Sequence, residues 1–350
     1  MSKVKRKLIL VIIPIAGILL LGLLIWISNP YFKAKDRNIV QQSKCLSDNE
    51  VATYPLEVGF EKYGFLAEST KTKISIKDKA SGNEKSSFEI TDVLYSGTPI
   101  EIHKCAVYVQ KEFDVKKPTW RREIWRYAYD GKGEKLFTIA EYNEKKEKVF
   151  YYSSDFRASN DERYMVLRKV VDPDNGIGYF VFKDLNYEKD IFSLPLSDIA
   201  SYNFGSYVNF DGFGRGWTKN DKYFWARIPE GSDIHAFIRV NTENWTFEVI
   251  SAPKGTMGGD KLNVEKGFIT YRSNAAPWTG DSLADERFRE QAIKNNSLTY
   301  FNAYDLFNKK SYQLASTNDP VKGFDSWWIS DTELEYYLPS GERKIFKIPE

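Results

Sequence analysis

The sequence is poor in the side chains that most enzyme chemistry depends on. Its 350 residues include two histidines, two cysteines and three methionines. A zinc centre needs closely spaced imidazole or thiolate ligands. His103 and His235 lie far apart, in the strand-like runs PIEIHKCAVYV and SDIHAFIRV, so both read as ordinary strand residues and no metal is expected. No G-x-S-x-G nucleophile elbow occurs. The glycines of DGFGRGW (211–217) are not followed by a helix-forming run that would offer its N-terminus to a phosphate. DPDNGIG (172–178) opens like a calcium loop, but Lys183 stands where that loop needs its glutamate. No catalytic residue and no cofactor is therefore expected. A glycosidase whose two acids are distant in sequence stays open.

An excess of charge is also missing. There are 50 basic and 48 acidic residues, and setting aside the four cations before the apolar run leaves 46 against 48. A nucleic-acid partner would need a basic face or stripe, so none is expected. Long apolar runs are absent except for one. Leu8–Ile27 is uncharged, and at about 1.5 Å per residue a helix of that length matches a hydrocarbon core of roughly 30 Å. Lys3, Lys5, Arg6 and Lys7 precede it without an acid, whereas Asp36 accompanies the cations beyond it. The positive-inside rule then sets residues 1–7 in the cytoplasm, 8–27 in the membrane with lipid as a partner, 28–44 as a linker and 45–350 outside. A cleaved signal peptide is the alternative, with a shorter apolar core of about 7 to 15 residues and a small-x-small site. ISNPYFKAKDR offers no convincing site of that kind, and no lipobox-like cysteine follows the run.

The two cysteines, Cys45 and Cys105, lie on the expected outer side, where thiols pair. A bond between them would tie the segment leaving the membrane to the domain; two buried free thiols are the alternative.

Aromatic residues are abundant: 22 Tyr, 23 Phe and 9 Trp exclude a disordered stalk. The apolar period is two almost everywhere. In EIWRYAYDGKGEKLFTIAEY (123–142), Trp125, Tyr127 and Tyr129 share one face, the chain turns at Asp130-Gly131, and Leu136, Phe137 and Ile139 return. Five more hairpins of this type are predicted over 73–90, 179–194, 236–250, 299–315 and 333–348. Their turns centre near residues 82, 131, 187, 243, 308 and 340, about the period that four-stranded blades need. An aromatic residue followed by Asn-Asp or Ser-Asp recurs before three hairpins, in FRASNDERY (156–164), WTKNDKY (217–223) and WISDTELEY (328–336). The expected fold is all-β, a β-propeller of six or seven four-stranded blades, the last of them completed by a strand from 51–63. Trp217 and Trp327 or Trp328 are expected to pack between blades. A β-sandwich with the same period is the alternative.

On these turns, and on strand pairs such as FVFKDLNYEKDIFSL, residues 70–350 resemble exported β-propellers of the TolB-like and dipeptidyl peptidase IV N-terminal kind, and more loosely the WD-repeat propellers. The resemblance implies a scaffold for protein or glycan contacts. With the sequence ending at Glu350, just past the last predicted strand, peptidase activity is not carried over.

Two stretches, 194–206 and 273–297, interrupt the repeat. In the second, Ser282 can cap a short amphipathic helix with Asp285 in support. Insertions on one face of a repeat protein often bind, so Trp278, Arg287 and Arg289 are candidate rim contacts. The same helix could simply cover a gap between blades. Three functions compete: a membrane-anchored extracytoplasmic binding or scaffolding module, a carbohydrate-active enzyme of the envelope, and a structural subunit of a membrane complex.

Overall fold

The computed structural model describes residues 45–54, 70–93, 100–113, 121–142, 148–172, 177–187, 189–195, 216–230, 233–254, 256, 261–273, 282–318 and 324–349. The expected membrane span at 8–27 and the linker at 28–44 lie outside these residues. Among the described residues no helix is long and apolar enough to cross a membrane.

The chain divides into two compact units. One comprises Met1–Phe150, Glu162–Met165 and Phe182–Ile191; the other comprises Tyr151–Asp161, Val166–Val181 and Phe192–Glu350. In the first unit, β1 (Glu50–Thr53), β2 (Thr70–Asp78), β3 (Glu84–Val93), β5 (Val107–Phe113), β6 (Arg121–Tyr127) and β7 (Gly133–Tyr142) are hydrogen-bonded in that order, and β4 (Ile100–Ile102) pairs with β5. Alternation points Ile74, Ile90, Val107, Val109 and Tyr127 into one core. Gly133 is required there, since a Cβ on it would stand 2.4 Å from the Tyr127 ring.

Strands β8 (Lys148–Ala158), β9 (Tyr164–Asp172), β10 (Ile177–Asp184) and β11 (Lys189–Pro195) follow as neighbours in chain order, their residues divided between the two units. The second unit contains three further antiparallel sheets. They are β12 (Tyr223–Glu230) to β14 (Thr246–Ser251) through β13 (Asp233–Asn241); β15 (Leu262–Asn263), β16 (Phe268–Ser273), β17 (Thr299–Asp305) and β18 (Lys310–Thr317); and β19 (Ser326–Trp328), β20 (Glu333–Tyr337) and β21 (Arg343–Lys347). The single helix among the described residues, α1 (Ser282–Lys294), separates β16 from β17 and begins where the capping argument sets it.

All six predicted hairpins form, and a common device closes most of them. A hairpin turn leaves backbone N–H groups without ladder partners, and a short Asp or Asn at the strand end can accept one of them. Asp78 accepts from Ala80 N, Asp130 from Lys132 N, Asp184 from Asn186 N, Asn241 from Glu243 N and Asp305 from Phe307 N. Gly82 and Gly131, at φ 70° and 85°, take the left-handed positions of the first two turns.

Separate four-stranded blades are not what the ladder gives. The first two meanders are joined into one sheet by a single register pair, Val93↔Lys111, and the sheets of the second unit contain three, four and three strands. Of the strand expected to complete the last hairpin, residues 51–53 pair with β2, and residues 55–63 lie outside the described residues. Trp328 does bridge two sheets: its ring meets Phe268 edge-on at 6.4 Å and its Nε1 donates to Lys261 O at 3.1 Å. Trp217 is buried against Phe224, its bridge partner, and Trp327 is 43% exposed beside Tyr337 of its own sheet.

The recurring acidic turn has a structural role. Glu162, Asp221 and Asp331 each stand two residues before a strand, β9, β12 and β20 respectively. In the second unit Asp221 accepts from Asn160 N, Asn160 Nδ2 and Asp161 N at 2.8, 2.8 and 2.7 Å. Lys219 N donates to Glu265, Lys219 Nζ to Asp331, and Asn263 Nδ2 to the Asp331 carbonyl. In the first unit Glu162 accepts from Cys105 N at 2.7 Å and from the Tyr108 hydroxyl at 3.1 Å. Burial, reinforced by the Glu162 charge, pushes the Tyr108 phenol well up, which keeps it a donor. The disulfide Cys45–Cys105 fastens the same turn, and Leu46 N donates to Lys104 O beside it.

Two measurements check this account. Asp221→Ala strands three N–H donors, so urea denaturation is expected to show a loss of roughly 2–3 kcal/mol; a loss below about 0.5 kcal/mol would remove the staple from the argument. The Cys45→Ser/Cys105→Ser double variant opens a loop whose ends are 60 residues apart. It is expected to lose about 4 kcal/mol on chain-entropy grounds, read from the same denaturation curves.

Candidate functional site

The alternation of β5 sets Val107, Val109, Lys111 and Phe113 on one face, and the β5–β6 register lays Tyr127, Trp125, Glu123 and Arg121 beside them. Three of these β5 and β6 positions carry rings and one, Lys111, carries a charge where the pattern calls for an apolar residue. Its side chain is buried, with a residue exposure of 6%. The Nζ lies 4.9 Å from the Trp125 ring centre, 5.5 Å from Phe113 and 5.8 Å from Tyr127. Such cation–ring contacts strengthen when desolvated.

The hydrogen-bond inventory of this ammonium does not close. It carries three protons. One goes to the Tyr127 hydroxyl at 3.2 Å, and the nearest carboxylate oxygen, on Asp92, stands at 3.7 Å, beyond hydrogen-bond distance. Two donors thus have no acceptor among the described residues. Thr72, on β2 across the Asp92 irregularity, is also buried, and its Oγ1 has no partner among the described residues. Asp92 itself holds a left-handed φ of 62°, and Thr91 donates to its carboxylate at 2.8 Å. Backbone held in that region by a non-glycine residue stores strain, and such strain clusters at binding sites.

Around this centre runs a ladder of rings. Phe113, Trp125, Tyr127 and Phe88 follow one another at 6.4, 6.3 and 6.3 Å. Phe113 and Trp125 are partly exposed. The rim is charged. Glu123 accepts from Trp125 Nε1 at 2.8 Å, Arg121 Nε at 3.0 Å and Lys135 Nζ at 3.2 Å. Burial pushes the Glu123 carboxyl up, but these three donors together bring it below its ordinary value, so it is ionised at neutral pH. Arg121 also stacks over Phe113 at 4.8 Å. Lys111 is the buried cation at this place with donors unspent.

The residues predicted from sequence lie elsewhere. Arg287 is exposed on α1, Arg289 stands on the same helix with its side chain outside the description, and Trp278 lies outside the described residues. His103 falls in the β4–β5 turn, not within a strand; it is buried edge-on to Tyr108, with Glu101 3.5 Å from its Nε2. The side chain of His235, on β13, is outside the description. Among the described residues no group of three His, Cys, Asp or Glu could hold a metal. One signal for Lys111 was present in the sequence: a lysine in register with two valines in the run VYVQKEF.

A buried cation with unspent donors costs stability, and removing it separates a binding role from a structural one. Lys111→Met fills the same space without the charge, and Asp92 keeps about a third of its side chain in solvent. The urea midpoint of the variant is expected to equal or exceed that of the parent. A loss of about 3 kcal/mol or more would make Lys111 a structural ion-pair partner instead.

No family model matches the chain and no curated protein is similar to it. Several solved structures do match. The β-propeller domain of the Trilobed protease from Pyrococcus furiosus is 11% identical with a TM-score of 0.46, over 88% of this chain and 84% of that one. TolB from Acinetobacter baumannii is 14% identical with a TM-score of 0.35, over 78% and 59%. The acylaminoacyl peptidase of Pyrococcus horikoshii is 11% identical with a TM-score of 0.46, over 88% and 46%. The chain spans only about half the length of the last two, and at such identity no activity, substrate or partner passes from any of the three to this protein.

Proposed function

We propose that this chain is a binding module of the cell envelope: a β-propeller over residues 45–350, anchored by residues 8–27, that takes a glycan or protein ligand at the Lys111 cage. The propeller reading is supported by the six hairpins and the shared closing of their turns. The anchor is supported by the uncharged run Leu8–Ile27 and the cations before it. The observation that carries the binding role is the buried Lys111 ammonium, with two of its three protons unspent beside partly exposed rings. A hydrolase at this place would need a carboxyl group free to move a proton. Glu123 is ionised and engaged by three donors, which disfavours it as that group.

Fractionation of the full chain expressed in a bacterial host tests the module. It should stay with the membrane pellet through an alkaline carbonate wash, and protease added to intact spheroplasts should digest the domain from outside. Recovery in the soluble fraction, or protection of the domain from that protease, would overturn the anchored, extracytoplasmic reading.

A further inference from the structure

We infer that the Lys111 cage receives the carboxylate of an acidic sugar, with the ring of that sugar laid against Trp125 and Phe113. The inference rests on the reading of the chain as a binding module and names the ligand of the same site.

The charge arithmetic points to a monoanion. Lys111 already has Asp92 within 3.7 Å, and the other two cations at the site, Arg121 and Lys135, each donate to Glu123. A phosphate dianion would meet Asp92 with one ammonium between them. A carboxylate needs only what is unspent: two N–H donors on a cation removed from water, where such bonds are strong.

The surroundings distinguish a sugar acid from other carboxylates. A fatty acid or aromatic acid asks for an enclosed apolar pocket. Here the apolar surface consists of two partly exposed rings, Phe113 and Trp125, standing 6.4 Å apart at 47°, with Arg121 over the first. The C–H face of a pyranose suits such rings. Lys135, half exposed and spending one of its three protons on Glu123, has donors left for hydroxyl groups. The left-handed Asp92, held by Thr91, keeps a carboxylate near Lys111 but short of bonding it, which leaves two ammonium protons for a second acceptor.

The test uses the full chain in detergent, titrated calorimetrically with a hexuronate oligosaccharide and with the same oligosaccharide after reduction of its carboxyl groups to alcohols. The acidic form is expected to bind at least tenfold more tightly than the reduced one. Lys111→Met should remove that preference while the far-UV spectrum and urea midpoint persist. Trp125→Phe keeps a ring, and should retain binding while losing the ligand-induced change in tryptophan fluorescence. Equal binding of both oligosaccharides overturns the assignment of Lys111 to a carboxylate. Binding of neither overturns the sugar inference itself. The module reading fails separately, through the fractionation result.

Discussion

A side-chain oxygen accepting a backbone N–H at a tight turn is the contact on which this protein depends. A chain built of antiparallel meanders changes direction at every strand end, and each change exposes amide groups that the ladder cannot use. Asp78, Asp130, Asp184, Asn241 and Asp305 satisfy such groups locally. Glu162 and Asp221 do the same at longer range, each accepting from the backbone of a turn more than fifty residues away. Both adopt a left-handed φ, 60° and 55°, at a cost of about 1 kcal/mol each. That conformation aims the carboxylate away from its own turn and toward another, so the local strain is the means of the distant contact.

What could be read in the sequence follows from this division. Hairpins were legible because both of their causes are local: a period of two fixes the faces and an Asp-Gly or Asn-rich pair fixes the turn. The acidic mark before three of the strands was visible too, but its partners were not, because Asn160 and Asp221 are brought together only by the folded path between them. Adjacent tryptophans show the same limit. Trp327 and Trp328 point to opposite faces of one strand, and which of them meets another sheet is decided by Phe268 and Lys261, far back in the chain. Blade boundaries were misjudged because a single register pair, Val93↔Lys111, suffices to join two meanders that composition alone would separate.

The same pair marks the place of the Lys111 cluster. At Val93 the ladder between β3 and β5 both begins and ends, and beside that single pair the sequence sets rings and one ammonium instead of aliphatic side chains. A leucine at position 111 would seal the join and complete the core of Ile90, Val93 and Val109. Lysine leaves it chemically open. Ring faces make that tolerable by lowering the cost of the buried charge, and Asp92 lowers it further without saturating the ammonium.

The fastening of Cys105 completes the argument from turns. Its amide is held by Glu162 and its sulfur by Cys45, so one residue receives both the long-range hydrogen bond of the acidic turn and the covalent tie of the first described segment. Either tie alone would leave the short β4–β5 hairpin able to pivot, because β4 contributes only Ile100–Ile102 to its sheet. With both in place, β5 is fixed at the end where it begins. Its other end, at Lys111 and Phe113, has only the single pair to β3 and the ladder to β6. At that end the ladder to β6 keeps Lys111 in register with Glu123, and the rings beside it hold the ammonium in position.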